Sequence, residues 1–315
     1  MTKRVPASGI TMATRRMTLL GALSLLAPRP VRSEEPVRVV LATATPGGGF
    51  PAFGAAFADT IRQADPALII EPRASGGSAE NLSLLQAGSV DLGLVQGEYA
   101  YPAFAAADGV SVLASMYPTP GLFVVPAASP IRSVADLRGR TVVLGTHMSG
   151  LTVMARSALA ASGLDPAHDI RPVLLDHAGD GPRLVREGQA DALWGGGLDW
   201  PGFATMARAP GGARFFGPSD AGIARLAQPG AALKRLTVPA GSFPGQVEPI
   251  ETVGSWSFIL ARSGFDGDAA ERIVRALGRD GTATTNPKNL IGLVPADRIN
   301  PATARYLRAA GLVQP

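Results

Sequence analysis

The sequence predicts an α/β protein of two lobes, on three observations. Short β-branched runs alternate with helix-spaced segments from residue 37 onward, glycine-rich loops separate several of these runs from the segment that follows, and the alternation breaks near residue 124 and restarts. Strands alternating with helices build parallel βαβ units, with helices on both faces of a sheet. At 315 residues, 46% of them hydrophobic, the chain has room for one large domain or two lobes.

The chain starts with a different kind of segment. Residues 14–33, TRRMTLLGALSLLAPRPVRS, place a basic pair before a short apolar run from Leu19 to Ala27, and small residues after it. This is the plan of an export signal over 1–33, of twin-arginine or Sec type, cut after Ser33, with Met12 as an alternative start. No stretch approaches the ~20 apolar residues of a membrane span. A soluble periplasmic chain is expected. The net charge of +4 belongs to the leader, which holds six basic residues and no acidic one; beyond it 23 basic residues face 25 acidic ones. That balance argues against a nucleic-acid partner. The absence of cysteine excludes disulfides and thiolate metal sites.

Beyond the leader, VRVVLA (37–42) reads as a strand, TPGGGFPAFG as a loop, and AAFADTIRQ as a helix. A second strand at Leu68 to Ile70, the loop ASGGS and the helix AENLSLLQAG follow, with Leu82 and Leu85 on one face and Gly88 at the end. VDLGLVQ is a third strand. After VSVLASMYP and GLFVVPA, SVADLRGRTVVLG starts a second series: Ser133 caps a short helix carrying Leu137, Gly139 closes it, and a strand begins at Thr141. The series continues through a loop and helix (THMSGLTVMARSALAASGL), a strand (RPVLLDH), a helix (GPRLVREGQ) and a strand (ADALWGG). A Pro- and Gly-rich loop then leads to the returning strand GSWSFILA and to DAAERIVRALGRD, a helix with Ile273, Val274 and Leu277 inward.

Ligands of such sheets bind at loops beyond the C-terminal ends of parallel strands. Ser75, Gly76, Gly77 and Ser78 lie between a strand and a helix start, where unpaired N–H groups and the helix dipole favour an anion or carboxylate. The glycines let the backbone approach the ligand, and Gln96, ending its strand, adds an amide that donates or accepts. Gly47, Gly48 and Gly49 form a second glycine loop. Trp194 and Trp200 flank a Gly-rich turn that contains Asp199, and with Phe50 they suit an apolar or aromatic acid; packing in the core competes with that role, above all for Trp194. His147 is placed to donate to a carboxylate or to sit exposed in its loop, and Asp176, His177 and Asp180 share a loop that opens on the same cleft.

The order TPGGGFPAFGAAFA, EPRASGGSAENLSLLQAGSVDLGLVQ, SVADLRGRTVVLGTHMSGLTVMARSAL, VPAGSFPGQ and GLVPADRINPATARYLRAAG resembles the TAXI family of solute-binding proteins. The resemblance spans nearly all of the chain after the leader and implies a type II periplasmic binding protein fold, in which two crossovers join the lobes around a ligand cleft. It implies lobe 1 at 37–123 plus 255–315 and lobe 2 at 124–254. It also implies capture of a small organic acid or amino acid by lobe closure, and delivery to the membrane permease of a tripartite ATP-independent periplasmic (TRAP) transporter. On the family's motifs, Gly47 to Gly49, Gly76, Gly77, Ser78, Asn81, Gln96, Tyr117, Ser149 and Gly150 fall at ligand loops, with Thr146 and Leu151 beside them. This chain departs from the pattern: Phe50-Pro51 replaces a Thr followed by a Tyr pair, Gly97-Glu98 a Ser-Asp, Thr119 a Glu and Leu151 a Thr. The lost hydroxyls and carboxylates argue against a glutamate-type ligand.

An enzyme is not expected. G-x-S-x-G, H-E-x-x-H and Walker motifs are all missing, none of the three His residues stands in a nucleophile arrangement, and Asp176, His177 and Asp180 are too loosely spaced for a metal. No cofactor is expected. An exported sensor subunit reporting to a membrane kinase is the alternative with the same fold, and a hydrolase is a remote one.

Overall fold

The VRVVLA run forms β1 (Val37–Ala42), and α1 (Gly49–Ala64), β2 (Leu68–Arg73), α2 (Ser78–Gln86), β3 (Leu92–Gln96) and α3 (Gly97–Ala106) follow it in strict alternation. The computed structural model describes residues 1–2, 36–106 and 109–313; apart from its first two residues, the leader read at 1–33 lies outside them. Among the described residues no helix is long and apolar enough to cross a membrane.

The second series gives β5 (Thr141–Thr146), α4 (Gly150–Ala161), β6 (Arg171–Leu175), α5 (Gly181–Arg186), β7 (Ala192–Gly196) and α6 (Pro201–Ala207). Before it runs β4 (Ser111–Pro126). After it come β8 (Ala213–Phe216), α7 (Asp220–Leu226), β9 (Lys234–Val238), β10 (Ile250–Ala261), α8 (Gly267–Asp280) and α9 (Pro301–Ala309). The short cap read at Ser133 is a 3-10 turn over Val134–Leu137, and Gly139 leaves it at φ 72°.

The strands run in the order β2-β1-β3-β10-β4-β7-β5-β6, with β8 beside β4 and β9 beside β10. β1 pairs in parallel with β2 and β3, and β5 with β6 and β7. The joining strands β4 and β10 are antiparallel to their neighbours, so the sheets are mixed where sequence alternation alone suggested parallel ones. VSVLASMYP and GLFVVPA, two runs in the sequence, are one 16-residue strand. Its Pro118 and Pro120 would break an ordinary interior strand. Here they lie where the ladder to β10 shifts register near Trp256 and where β4 exchanges β10 for β7 and β8, positions that tolerate a missing N–H.

Period-2 alternation along these two strands supplies both faces of each sheet. Leu122 and Val124 enter one cluster with Phe203 and Phe215, while Phe123 and Val125 enter another with Leu144 and Met154. In β10, Ile259 and Ala261 pack with α1 and α8 residues such as Ile61 and Ile273; Phe258 and Leu260 pack with Leu85 and Phe104. Each of the larger of these side chains, fully buried, contributes about 1.5–3 kcal/mol before entropy is counted. Two lobes thus have cores on both faces of their sheets, and β4 and β10 form the two crossovers. The expected boundaries at 123/124 and 254/255 fall inside these strands.

Candidate functional site

Three helices begin at one cavity. The residues that precede α1, α2 and α4, which are Gly48, Gly77 and Ser149, all line it, as do Gly49, Phe50 and Ser78. Their strands deliver them there because the parallel strands of each lobe end at the same edge, which is where ligand crevices form in open α/β sheets. The cavity measures about 70 Å³, roughly five water molecules at about 10–15 Å³ each. Gln96, Tyr117, Thr146, Leu151 and Trp200 complete the predicted residues found on its wall. Burial pushes the Tyr117 phenol above its ordinary value, and the Asp199 carboxylate adds to the effect; the hydroxyl is a donor at any ordinary pH.

The other predicted residues are elsewhere, each for a visible reason. Ser75 Oγ donates to Asn81 Oδ1 at 2.6 Å and accepts from the Gly77 N–H at 3.3 Å. Asn81 Nδ2 donates to the carbonyls of Thr43 and Leu94, both at 2.7 Å, so this side chain ties β1 to β3. The Gly76 N–H, assigned from sequence to an anion, is taken by Glu80 Oε2 at 2.6 Å: the chain supplies its own carboxylate there. His147 and His177 are exposed and off the cavity wall, and exposed Asp199 lines an adjoining groove with Pro118 and Leu198. Gly150 is buried against Gln96; a Cβ in its place would lie 2.9 Å from Gln96 Cβ and 3.0 Å from Oε1. Nor is the Leu151 N–H open to a ligand, because Ser149 Oγ accepts it at 3.1 Å.

Sequence reasoning passed over Ala44, Thr45, Thr119, Gly145 and Leu175, and over Ala178, Leu193, Gly195 and Gly196, all on the wall; Trp194, for which core packing competed with a ligand role, is on it too. The available signal was LWGGG: two strand residues and two glycines at a strand's C-terminal end. Trp194 does pack in the core, against Phe123 with ring centroids 4.6 Å apart, and lines the cavity as well.

Among the described residues, four hydrogen bonds cross the cleft. Trp200 Nε1 donates to the Gly47 carbonyl at 3.0 Å, the Gly179 N–H to the Pro46 carbonyl at 3.2 Å, the Ala178 N–H to Thr45 Oγ1 at 3.2 Å, and the Ala79 N–H to the Met148 carbonyl at 3.2 Å. The last replaces a ligand at one orphan donor of α2. It depends on Gly77, whose φ of 125° is a conformation side chains avoid and whose missing Cβ would sit 3.1 Å from the Met148 carbonyl oxygen. The lobes are closed on the cavity.

On the wall itself, among the described residues, no Asp, Glu, Lys, Arg or His is present. The polar groups are hydroxyls, the Gln96 amide, the Trp194 indole and backbone. Such a set can bind and orient a small molecule; it offers no general base or nucleophile pair.

A closed, two-lobed α/β chain with crossovers at β4 and β10 and a small cavity between the lobes has the fold of the periplasmic binding proteins. The chain belongs to the NMT1-like family, whose model matches residues 41–286. One solved structure supports the fold at a TM-score above 0.5. A protein of Bordetella bronchiseptica RB50 is 16% identical, with 89% of this chain and 86% of that one covered and a TM-score of 0.51. The alkanesulfonate-binding protein of Xanthomonas axonopodis pv. citri, bound to MOPS, is 20% identical over 89% and 96% of the chains at TM-score 0.48. The periplasmic aliphatic sulphonate binding protein of Escherichia coli is 22% identical over 87% and 79% at TM-score 0.47. At these identities the likeness is one of fold, and function has to be argued from the site.

Proposed function

We propose that this protein is an exported solute-binding protein that captures a small organic acid by closing its lobes and hands it to a membrane permease of the TRAP type. The observation that carries the reading is the convergence of three helix N-termini on one enclosed cavity whose wall has no charged side chain. Helix dipoles and hydroxyl donors stabilise a carboxylate without a cation, and Ser78, Thr146, Ser149 and Tyr117 provide such hydroxyls from both lobes. Phe50, Leu175, Leu193 and Trp200 favour an apolar remainder. Binding acts through closure: a ligand touching both lobes prefers the closed form and shifts the population to it. The leader and the TAXI resemblance support export and a TRAP permease as the partner.

Native mass spectrometry of the purified protein, followed by a thermal-shift screen of short carboxylic, 2-oxo, 2-hydroxy, dicarboxylic and amino acids, tests the reading. A bound or stabilising acid is expected, raising the midpoint with the logarithm of its concentration over Kd. If only neutral compounds bind, the acid assignment is wrong.

A further inference from the structure

Two residues that line this cavity, one from each lobe, carry buried donors with no acceptor among the described residues. Gln96 is 3% exposed and Trp194 1%, both line the cavity, and neither Gln96 Nε2 nor Trp194 Nε1 has a hydrogen-bond partner among the described residues. Leaving a buried donor unpaired costs about 1–3 kcal/mol, and native chains retain few of them. Gln96 ends β3 in one lobe; Trp194 lies in β7 of the other. The strand end is tied to α2, since the backbone N–H of Gln96 donates to Ser78 Oγ at 3.1 Å, and the bare Cα of Gly150 lets α4 start against the Gln96 side chain. Packing against Phe123 fixes the Trp194 ring. Two rigid N–H donors, one from each lobe, match two acceptor atoms on one ligand.

The same wall argues against a positive group. With no carboxylate lining it, an ammonium ion would be buried among neutral partners only, which is costly. A carbonyl, hydroxyl or carboxylate oxygen meets unspent donors instead.

Resting on the acid reading above, we propose that Gln96 and Trp194 select the ligand by two acceptor atoms and that the ligand lacks an ammonium group: a short carboxylic acid with a 2-oxo or 2-hydroxy substituent in place of an α-amino group. One acceptor is the carboxylate and the other the neighbouring oxygen. Because the two donors stand on strands of opposite lobes, a ligand bonded to both also reports closure.

The test is isothermal titration of the full chain with matched pairs, 3-methyl-2-oxobutanoate against valine and phenylpyruvate against phenylalanine, repeated on Gln96→Leu and Trp194→Phe. The oxo acid of at least one pair is expected to bind tenfold or more tightly than its amino acid, and each variant to weaken that binding tenfold or more. Because Gln96→Leu removes an unpaired buried amide, the ligand-free melting temperature should hold or rise, which separates lost recognition from lost folding. Equal binding of oxo and amino acids, or unchanged affinity in both variants, overturns this proposal and leaves the acid reading standing. If no acid binds the parent protein, both fall.

Discussion

The indole nitrogen of Trp200 donates to the carbonyl oxygen of Gly47 at 3.0 Å, joining the loop after β7 to the first glycine loop across the cleft. It is the one side-chain donor among the four cleft-crossing bonds described above, and it comes from a ring that also walls the cavity. Trp200→Phe keeps a ring there and removes the N–H. One such bond is worth about 1 kcal/mol, so the closed-to-open ratio should fall roughly fivefold. Small-angle scattering of the ligand-free variant should show a larger radius of gyration than the parent; an unchanged radius would show that this bond does not govern closure.

Gly150→Ala should block closure more severely. The added methyl meets the Gln96 side chain at 2.9 Å, and backing away separates the start of α4 from the end of β3. Overpacking of this sort costs about 1–3 kcal/mol. The expected result is a tenfold or greater loss of ligand affinity with an unchanged far-UV circular dichroism spectrum.

Asn81 is a structural residue, and its replacement should be felt in stability. Asn81→Ala leaves the Thr43 and Leu94 carbonyls and the Ser75 hydroxyl without their partner in a fully buried place. A loss of about 2–4 kcal/mol is expected in urea unfolding. Under ligand saturation the remaining folded protein should bind with near-parental affinity.

Glu98 gives the fold a pH dependence. Burial raises its carboxyl from 4.5 to about 7, although the Ser255 hydroxyl donates to it at 2.9 Å. A carboxyl raised on folding stabilises the native state fully below its unfolded value, and that contribution is lost as pH climbs through about 7. The span corresponds to at most about 3 kcal/mol. Melting temperature should therefore fall between pH 4.5 and 7 in the parent protein. In Glu98→Gln this component of the slope should vanish, with a higher melting temperature at pH 8.

Local order was legible because it rests on local rules. β-Branched runs, glycine stops and caps placed β1, β2, α2 and β3 nearly where they lie, whereas α1 starts at Gly49, inside the segment TPGGGFPAFG read as a loop; the burial of Ile273, Val274 and Leu277 in α8 follows from helical spacing. The proline-interrupted β4 defeated the same rules, since its continuity depends on changing partners midway. A sequence records neighbours along the chain, and a strand's partner is not one of them.

The site divides along the same line. Glycine loops before α1 and α2, and Ser149 before α4, were recognisable as helix starts, because capping is a property of a few consecutive residues. Which of their groups remained open to a ligand was a tertiary matter. Glu80 took the Gly76 N–H, Asn81 took Ser75, and Met148 from the other lobe took the Ala79 N–H. Trp194, which the sequence left between core and ligand wall, is both at once, because its ring packs tilted against Phe123 and the strand end it occupies opens on the cleft. The sequence by itself determined the alternating elements and the glycine loops. Only the folding of β4 and β10 through both lobes decided that Gln96 and Trp194, 98 residues apart, share one cavity, since hydrogen bonding between distant strands fixes what chain proximity cannot.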